Sequence, residues 1–341
     1  MSSHAVTGEP SFLATRRGKL TLFFLCMVGF LDFVDASIVN VALPTIRQDL
    51  HFSVQSLQWV LSGYLLTYGG FMLLGGRAAD LLGRRRILVA GMTVFAVSSL
   101  VGGLASDSAM LIGARLVQGF GAALMLPATL SILTTSFHEG KDRNTALGAW
   151  GAIAGLASAV GVFLGRLLTE DVGWRWVLWV NLPVCAVLLV ATFRIVSGER
   201  PTRPVKNFDA LGAILVTGGM LLLIYTLVNA PSVGWGTMRT IAGLASAGVL
   251  LLAFVGNERR HSNPLVPLSI FRIKGLAAAD ATQVIAMAGF YSMFFFLTLY
   301  MQNVLGYSAI QTGAAYLPLT FAVVIAAGIT AQLIPLSLIH I

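Results

Sequence analysis

Charge is what this sequence has least of. Asp, Glu, Lys and Arg make up 11% of 341 residues against 57% hydrophobic ones, and the mean hydropathy of +0.84 excludes a water-soluble domain. Cysteine is nearly absent as well. Cys26 and Cys185 both fall inside apolar runs, which rules out a disulfide framework and any metal-ligand spacing and leaves them as small packing residues. The five histidines, at positions 4, 51, 138, 261 and 340, sit in tails or at the ends of runs and form no ligand pattern. No metal and no cofactor is therefore expected. Long polar stretches are missing too. The longest one between runs, residues 257–274, is too short to hold a soluble catalytic domain, so the chain is not expected to be an enzyme.

What the sequence does have is ten apolar runs, each long enough to cross about 30 Å of hydrocarbon at about 1.5 Å per residue. They cover residues 20–43, 54–75, 87–105, 109–134, 145–168, 175–196, 209–229, 238–256, 275–302 and 309–335. The runs are continuously apolar and do not alternate, so they predict helices and not a β-barrel. The expected fold class is an all-α integral membrane protein. The first run follows Arg16, Arg17 and Lys19 in the manner of a signal peptide, but it is too long and carries aspartates, so it is expected to remain as an anchor.

The loops predict orientation. With the N-terminus in the cytoplasm, 17 of the 22 Lys and Arg residues fall on the cytoplasmic side, leaving Arg47, Arg166, Arg175 and Arg239 outside and Arg115 within a span. The net charge of +8 and pI near 9.9 follow from this bias. The basic residues are scattered over short loops and build no single face, so nucleic-acid binding is not expected.

The first run contains GFLDFVDASIVNVALP, residues 29–44, in which Asp32 and Asp35 lie near mid-span. Each carboxylate there costs about 2.5 to 3.5 kcal/mol on insertion scales, a cost that asks for a compensating role. A spacing of three leaves them about 60° apart on a helix, so both can face one interior cavity and avoid lipid. Arg115, in ARLVQGFGAA, is a second intramembrane charge, and Gln118 shares its face. A buried guanidinium wants a carboxylate. If Asp35 is that partner, a proton and a cationic substrate compete for one group, which is the simplest physics of antiport; a structural ion pair locking two helices is the alternative.

The loop GGRAADLLGRRR, residues 75–86, ends the second run. Asp80 would stand at a helix C-terminus, where the macrodipole disfavours an anion, so a partner from elsewhere is expected. Gly83 permits a tight turn. Arg84, Arg85 and Arg86, taken singly, read as topology and headgroup contacts.

As a whole, that loop resembles motif A of the major facilitator superfamily. LIGARLVQGFGAA, residues 111–123, is similar to its motif B. VDASIVNVALP and GWRWVLWVNLP, residues 34–44 and 173–183, resemble motifs of its fourteen-helix drug:proton antiporter branch. The resemblance implies a membrane carboxylate at Asp35, a gating aspartate at Asp80, a turn glycine at Gly83, a charge relay at Arg84 and Arg85, and a buried arginine at Arg115. Asp32 has no counterpart and reads as a second proton or cation site.

The fifth run departs from the pattern, with Val162 and Arg166 where the branch's motif C has Pro and Gly. Its small residues, Gly148, Gly151, Gly155, Ala159, Gly161 and Gly165, suit close helix approach all the same. Trp174, Trp176 and Trp179 read as an interfacial aromatic belt. The run YSMFFFLTLY, residues 291–300, suits either a drug pocket or lipid contact.

The organisation that follows is a six-helix bundle over 1–196, a linker and extra helix pair over 197–274, and the first two helices of a second bundle over 275–341. A second bundle of that size is expected to be incomplete, and the 341-residue chain is not expected to complete a transport cycle unaided. The resemblance implies a proton-driven exporter of small amphipathic, cationic drugs or toxic compounds in the cytoplasmic membrane, with protons, substrate and lipid as partners and a monomer as the expected state. An uptake permease and a non-transporting membrane fragment are the alternatives.

Overall fold

The computed structural model describes residues 11–198 and 209–307, together with 311–316, 318–319, 321–323, 325–326 and 329. Among these, the ordered elements are helices. Thr15 caps α1 (Arg16–Asp49) by accepting from the Gly18 N–H, and Pro44 sits inside that helix without ending it. After a short turn of helix, α2 (Val54–Leu57), come α3 (Trp59–Leu82) and α4 (Arg84–Gly103), joined through Gly83 alone. Its φ of +99° is the left-handed conformation that a Cβ would disfavour, so a glycine turns the chain there. Asp107 caps α5 (Ser108–Ser136), and Gly140 precedes α6 (Lys141–Asp171). The sixth run divides into α7 (Arg175–Trp179) and α8 (Asn181–Ile195). Asp209 and Thr237 cap α9 (Ala210–Val233) and α10 (Met238–Glu258). Asn257 of α10 donates to Asp209 at the start of α9 at 2.6 Å, and Glu258 accepts from the backbone N–H groups of Leu265 and Val266 in the segment that follows.

Eight helices among the described residues are long and apolar enough to cross a membrane. The ninth expected run forms α11 (Leu276–Leu299), which is exposed throughout residues 277–290. The tenth, 309–335, lies partly outside the described residues; those described between 311 and 329 are helical.

The tightest packing joins α4 to α5, α3 to α5, α1 to α6 and α9 to α10; α8 lies against α4 and α1, and α9 against α3. Small residues permit the closest approaches. A Cβ on Gly91 of α4 would stand 2.8 Å from the Gly121 carbonyl oxygen of α5, below any tolerable contact. α6 contains no proline and runs unbroken, as Val162 implies, with Arg166 held on its exposed side by Glu170 at 2.8 Å.

Two apolar cores divide the interior. One gathers Phe24, Leu31, Met92, Phe95 and Met125, the other Val34, Ile38, Ile46, Leu111 and Val177. The boundary on α1 falls between Leu31 and Val34; Asp32 stands within it and Asp35 directly after it.

The tryptophans do not form the uniform belt that their clustering suggests. Trp176 is 45% exposed, but Trp174 is buried and donates its indole N–H to the Asp49 carboxylate at 2.8 Å, since a buried donor needs an acceptor. Trp179 packs edge-on to Trp176 and covers Gly103.

Candidate functional site

Between the two cores lies a layer of polar side chains drawn from separate helices. Asp35 of α1 is completely buried. Its Oδ2 meets Arg115 Nη1 of α5 at 2.6 Å, and its Oδ1 accepts from Gln118 Nε2 of α5 at 2.8 Å and from Asn181 Nδ2 of α8 at 2.6 Å. Both amides also reach Ser99 Oγ of α4, at 2.8 and 3.1 Å. One carboxylate and one hydroxyl thus link α1, α4, α5 and α8.

The guanidinium is held as closely. Arg115 Nε donates to the Val60 carbonyl of α3 at 3.1 Å, Nη1 donates to Gln118 Oε1 at 2.6 Å, and the Tyr64 ring lies 4.4 Å from the guanidinium carbon. It sits where a cation can be desolvated, because carboxylate, carbonyl and ring face replace water. Two buried atoms in this layer, Arg115 Nη2 and Asn181 Oδ1, have no hydrogen-bond partner among the described residues. Polar atoms left so are where a water or a ligand atom would be most favourably received.

Asp32 lies one turn away on the same helix, 5% exposed, and accepts a hydrogen bond from the Tyr64 hydroxyl. Tyr64 therefore touches two of the layer's three charged groups, the Asp32 carboxylate through its hydroxyl and Arg115 through its ring. Both aspartates point inward as their spacing predicts. Asp35 faces Arg115, Gln118 and Asn181, and Asp32 faces Tyr64.

The turn residues lie apart from this cluster. Asp80, in the last turn of α3, is exposed and forms no ion pair or hydrogen bond among the described residues, so the partner expected for it is not there. An exposed carboxylate is solvated and needs none. Arg84 Nη1 donates to Thr135 Oγ1 of α5 at 2.8 Å, while Arg85 donates to the Val196 carbonyl at 3.4 Å and lies over the Phe193 ring at 4.7 Å.

The glycines of α6 divide by face. Gly161 and Gly165 press on α1, where a Cβ would stand 2.7 Å from Ser37 and 3.0 Å from the Ile38 carbonyl. Gly155 is half-buried, and Gly151 is exposed with nothing within 4 Å of its would-be Cβ, so it is not part of that contact. A helix run this rich in glycine carries small residues on more than one side.

Among the described residues no group of three or more His, Cys, Asp or Glu side chains is gathered to hold a metal ion. Three members of the polar layer, Ser99, Asn181 and Tyr64, were not singled out by sequence. Asn181, an amide inside an otherwise apolar run just before Pro183, is the one that carried a readable signal.

Comparison with known proteins agrees with this architecture. Solved structures superpose on nearly the whole chain: the human organic anion transporter MFSD10 with a TM-score of 0.61 over 95% of this chain and 73% of its own, at 15% identity, and the proton:xylose symporter XylE with 0.59 over 92% and 68%, at 11%. At such identities the likeness is one of fold. Sequence relatives are nearer. The cephamycin export protein CmcT of Amycolatopsis lactamdurans is 41% identical over 92% of this chain and 64% of its own length; the puromycin resistance protein pur8 of Streptomyces alboniger is 39% identical over 92% and 62%. The multidrug resistance protein Stp of Mycobacterium tuberculosis is 37% identical over 94% and 59%. The chain spans about three-fifths of the length of these curated relatives. With residues 25–337 matched by the profile of the Major Facilitator Superfamily, the chain belongs to that superfamily.

Proposed function

We propose that this chain is part of a proton-coupled exporter of amphipathic antibiotics or related toxic compounds, with Asp35 as the coupling carboxylate. The relatives named for cephamycin export, puromycin resistance and multidrug resistance support the export reading. The observation that carries the coupling is the buried pair of Asp35 and Arg115 at 2.6 Å.

Protonating Asp35 removes the charge that holds Arg115. The guanidinium keeps the Val60 carbonyl and Gln118 Oε1, but the contacts that tie α1 to α5 and α8 weaken together. A proton on one oxygen pair is thus felt by three helices, which is the kind of local charge change that biases a packed, two-state bundle. With Asp32 and Asp35 facing a single arginine, acid groups outnumber base in this layer, and an amphipathic cation is the substrate that suits it. Asp32, tied to Tyr64, serves as a second proton or cation site.

The N-terminus faces the cytoplasm, as the placement of basic residues favours. Gly83 and its neighbours Asp80, Arg84 and Arg85 form a gate remote from the polar layer, and residues 1–196, 197–274 and 275–341 act as first bundle, helix pair with linker, and start of a second bundle. The test is dye accumulation under an imposed pH gradient in everted vesicles that hold a transporter of the relatives' full length carrying this chain. Accumulation of a cationic dye when the lumen is acid, abolished by Asp35→Asn, is expected; accumulation indifferent to both the gradient and the substitution would contradict the proposal.

A further inference from the structure

Away from the polar layer, a groove of about 920 Å³ runs between the N-terminal part of α1 and the C-terminal part of α8. Its walls are apolar and open, with Leu20, Val187 and Val190 exposed by 50%, 69% and 55%. Arg16, Arg17 and Arg194 line the same groove. Among the described residues, none of these three guanidinium groups takes part in an ion pair, a side-chain hydrogen bond or a ring contact. Arg17 also lines an adjoining pocket with Arg84 and Arg85, so positive charge continues beyond the groove.

Three like charges at one groove repel one another and call for a counter-anion. Guanidinium groups suit phosphate, which they bind through paired N–H donors, and basic pockets between spanning helices receive anionic headgroups. The apolar walls ask for something else, a hydrocarbon chain. One class of molecule offers both. The chain's own segment 199–208, ERPTRPVKNF, is a poorer occupant, because it brings three basic residues and one acidic one to a site already positive. A zwitterionic lipid matches the walls but brings no net charge.

We propose that the groove between α1 and α8 binds one anionic phospholipid, its phosphate held by Arg16, Arg17 and Arg194 and one acyl chain lying along Leu20, Val187 and Val190. This site is independent of the export reading, since its ligand is a membrane component and its residues lie outside the polar layer.

The test weighs the intact protein by native mass spectrometry after exposure to phosphatidylglycerol or phosphatidylcholine in neutral detergent. One phosphatidylglycerol per chain should survive collision energies that strip phosphatidylcholine. The variant Arg16→Gln/Arg17→Gln/Arg194→Gln should retain it on the order of 100-fold less, at roughly fivefold per arginine. Arg86→Gln, which alters an exposed arginine outside the groove, should retain it normally. Because losing three basic residues can also disturb membrane insertion, Val190→Trp provides a check that leaves charge untouched: its ring fills the groove and should weaken retention as well. Equal retention of the two lipids, undiminished retention in either groove variant, or an equal loss with Arg86→Gln would overturn the proposal.

Discussion

Asn181, the first residue of α8, donates to the same Asp35 oxygen that Gln118 reaches from α5, at 2.6 and 2.8 Å. The carboxylate is therefore shared between two amides on one oxygen and Arg115 on the other. Any change in its charge is transmitted to two helices besides its own. Removing one donor at a time tests how much of the bundle depends on this sharing.

Asn181→Ala should destabilise the protein by about 1 to 3 kcal/mol, the usual consequence of leaving a buried polar partner short of a hydrogen bond. Asn229→Ala, which removes only an exposed bond to the Tyr225 carbonyl, should change stability by less than about 0.5 kcal/mol. Equilibrium unfolding in mixed micelles compares the two.

A structural ion pair and a coupling carboxylate make different predictions for a double substitution. Asp35→Asn leaves Arg115 buried without its counter-charge and should cost about 3 to 5 kcal/mol of stability. Adding Arg115→Gln removes the orphaned charge and should recover most of that loss. If the pair only locks helices, transport recovers with stability. If Asp35 exchanges a proton, the double variant is stable and still unable to couple dye movement to a pH gradient.

The glycines of α6 should respond by face. Gly151→Ala adds a methyl to open space and should stabilise by about 0.5 to 1 kcal/mol through lower chain entropy in the unfolded state. Gly161→Val forces α6 away from Ser37 and should destabilise by about 1 to 3 kcal/mol. Thermal unfolding of the pair in detergent distinguishes them.

At the turn, Gly83→Val places a branched side chain at φ +99° and should destabilise by about 1 to 3 kcal/mol. Asp80→Asn, at an exposed position with no partner among the described residues, should leave stability within about 0.5 kcal/mol. Any slowing of dye efflux by Asp80→Asn, at unchanged dye affinity, would then arise from another conformation of the transport cycle, as a gate requires.

How far the sequence could be read depended on what insertion into lipid penalises. Asp32, Asp35 and Arg115 stand out because a charge in hydrocarbon is costly, and the need of Arg115 for a carboxylate pointed to Asp35 across 80 residues. Gln118 followed from its helical spacing to Arg115. Ser99, Tyr64 and Asn181 carry no such penalty individually, and their convergence on Asp35, Asp32 and Arg115 is a product of packing, with Asn181 lying 146 residues from Asp35. The helices were legible from apolar length, yet α1 extends to Asp49 because Pro44 falls inside it without ending it. Facing was less legible. Which α6 glycines meet α1 depends on a rotation that glycines on several faces leave open, and the burial of Trp174 depends on Asp49, 125 residues away.

Proton release on substrate binding tests the coupling role of Asp35 most directly. A cationic dye is added to the purified protein in weakly buffered detergent solution, and the change in pH is recorded together with the amount of dye bound. If dye and proton compete for the Asp35 carboxylate, linkage requires wild-type protein to release up to about one proton per dye bound and Asp35→Asn to bind dye without releasing any. Equal proton release from Asp35→Asn and wild type, or dye binding by the wild type with no release at any pH, would contradict it.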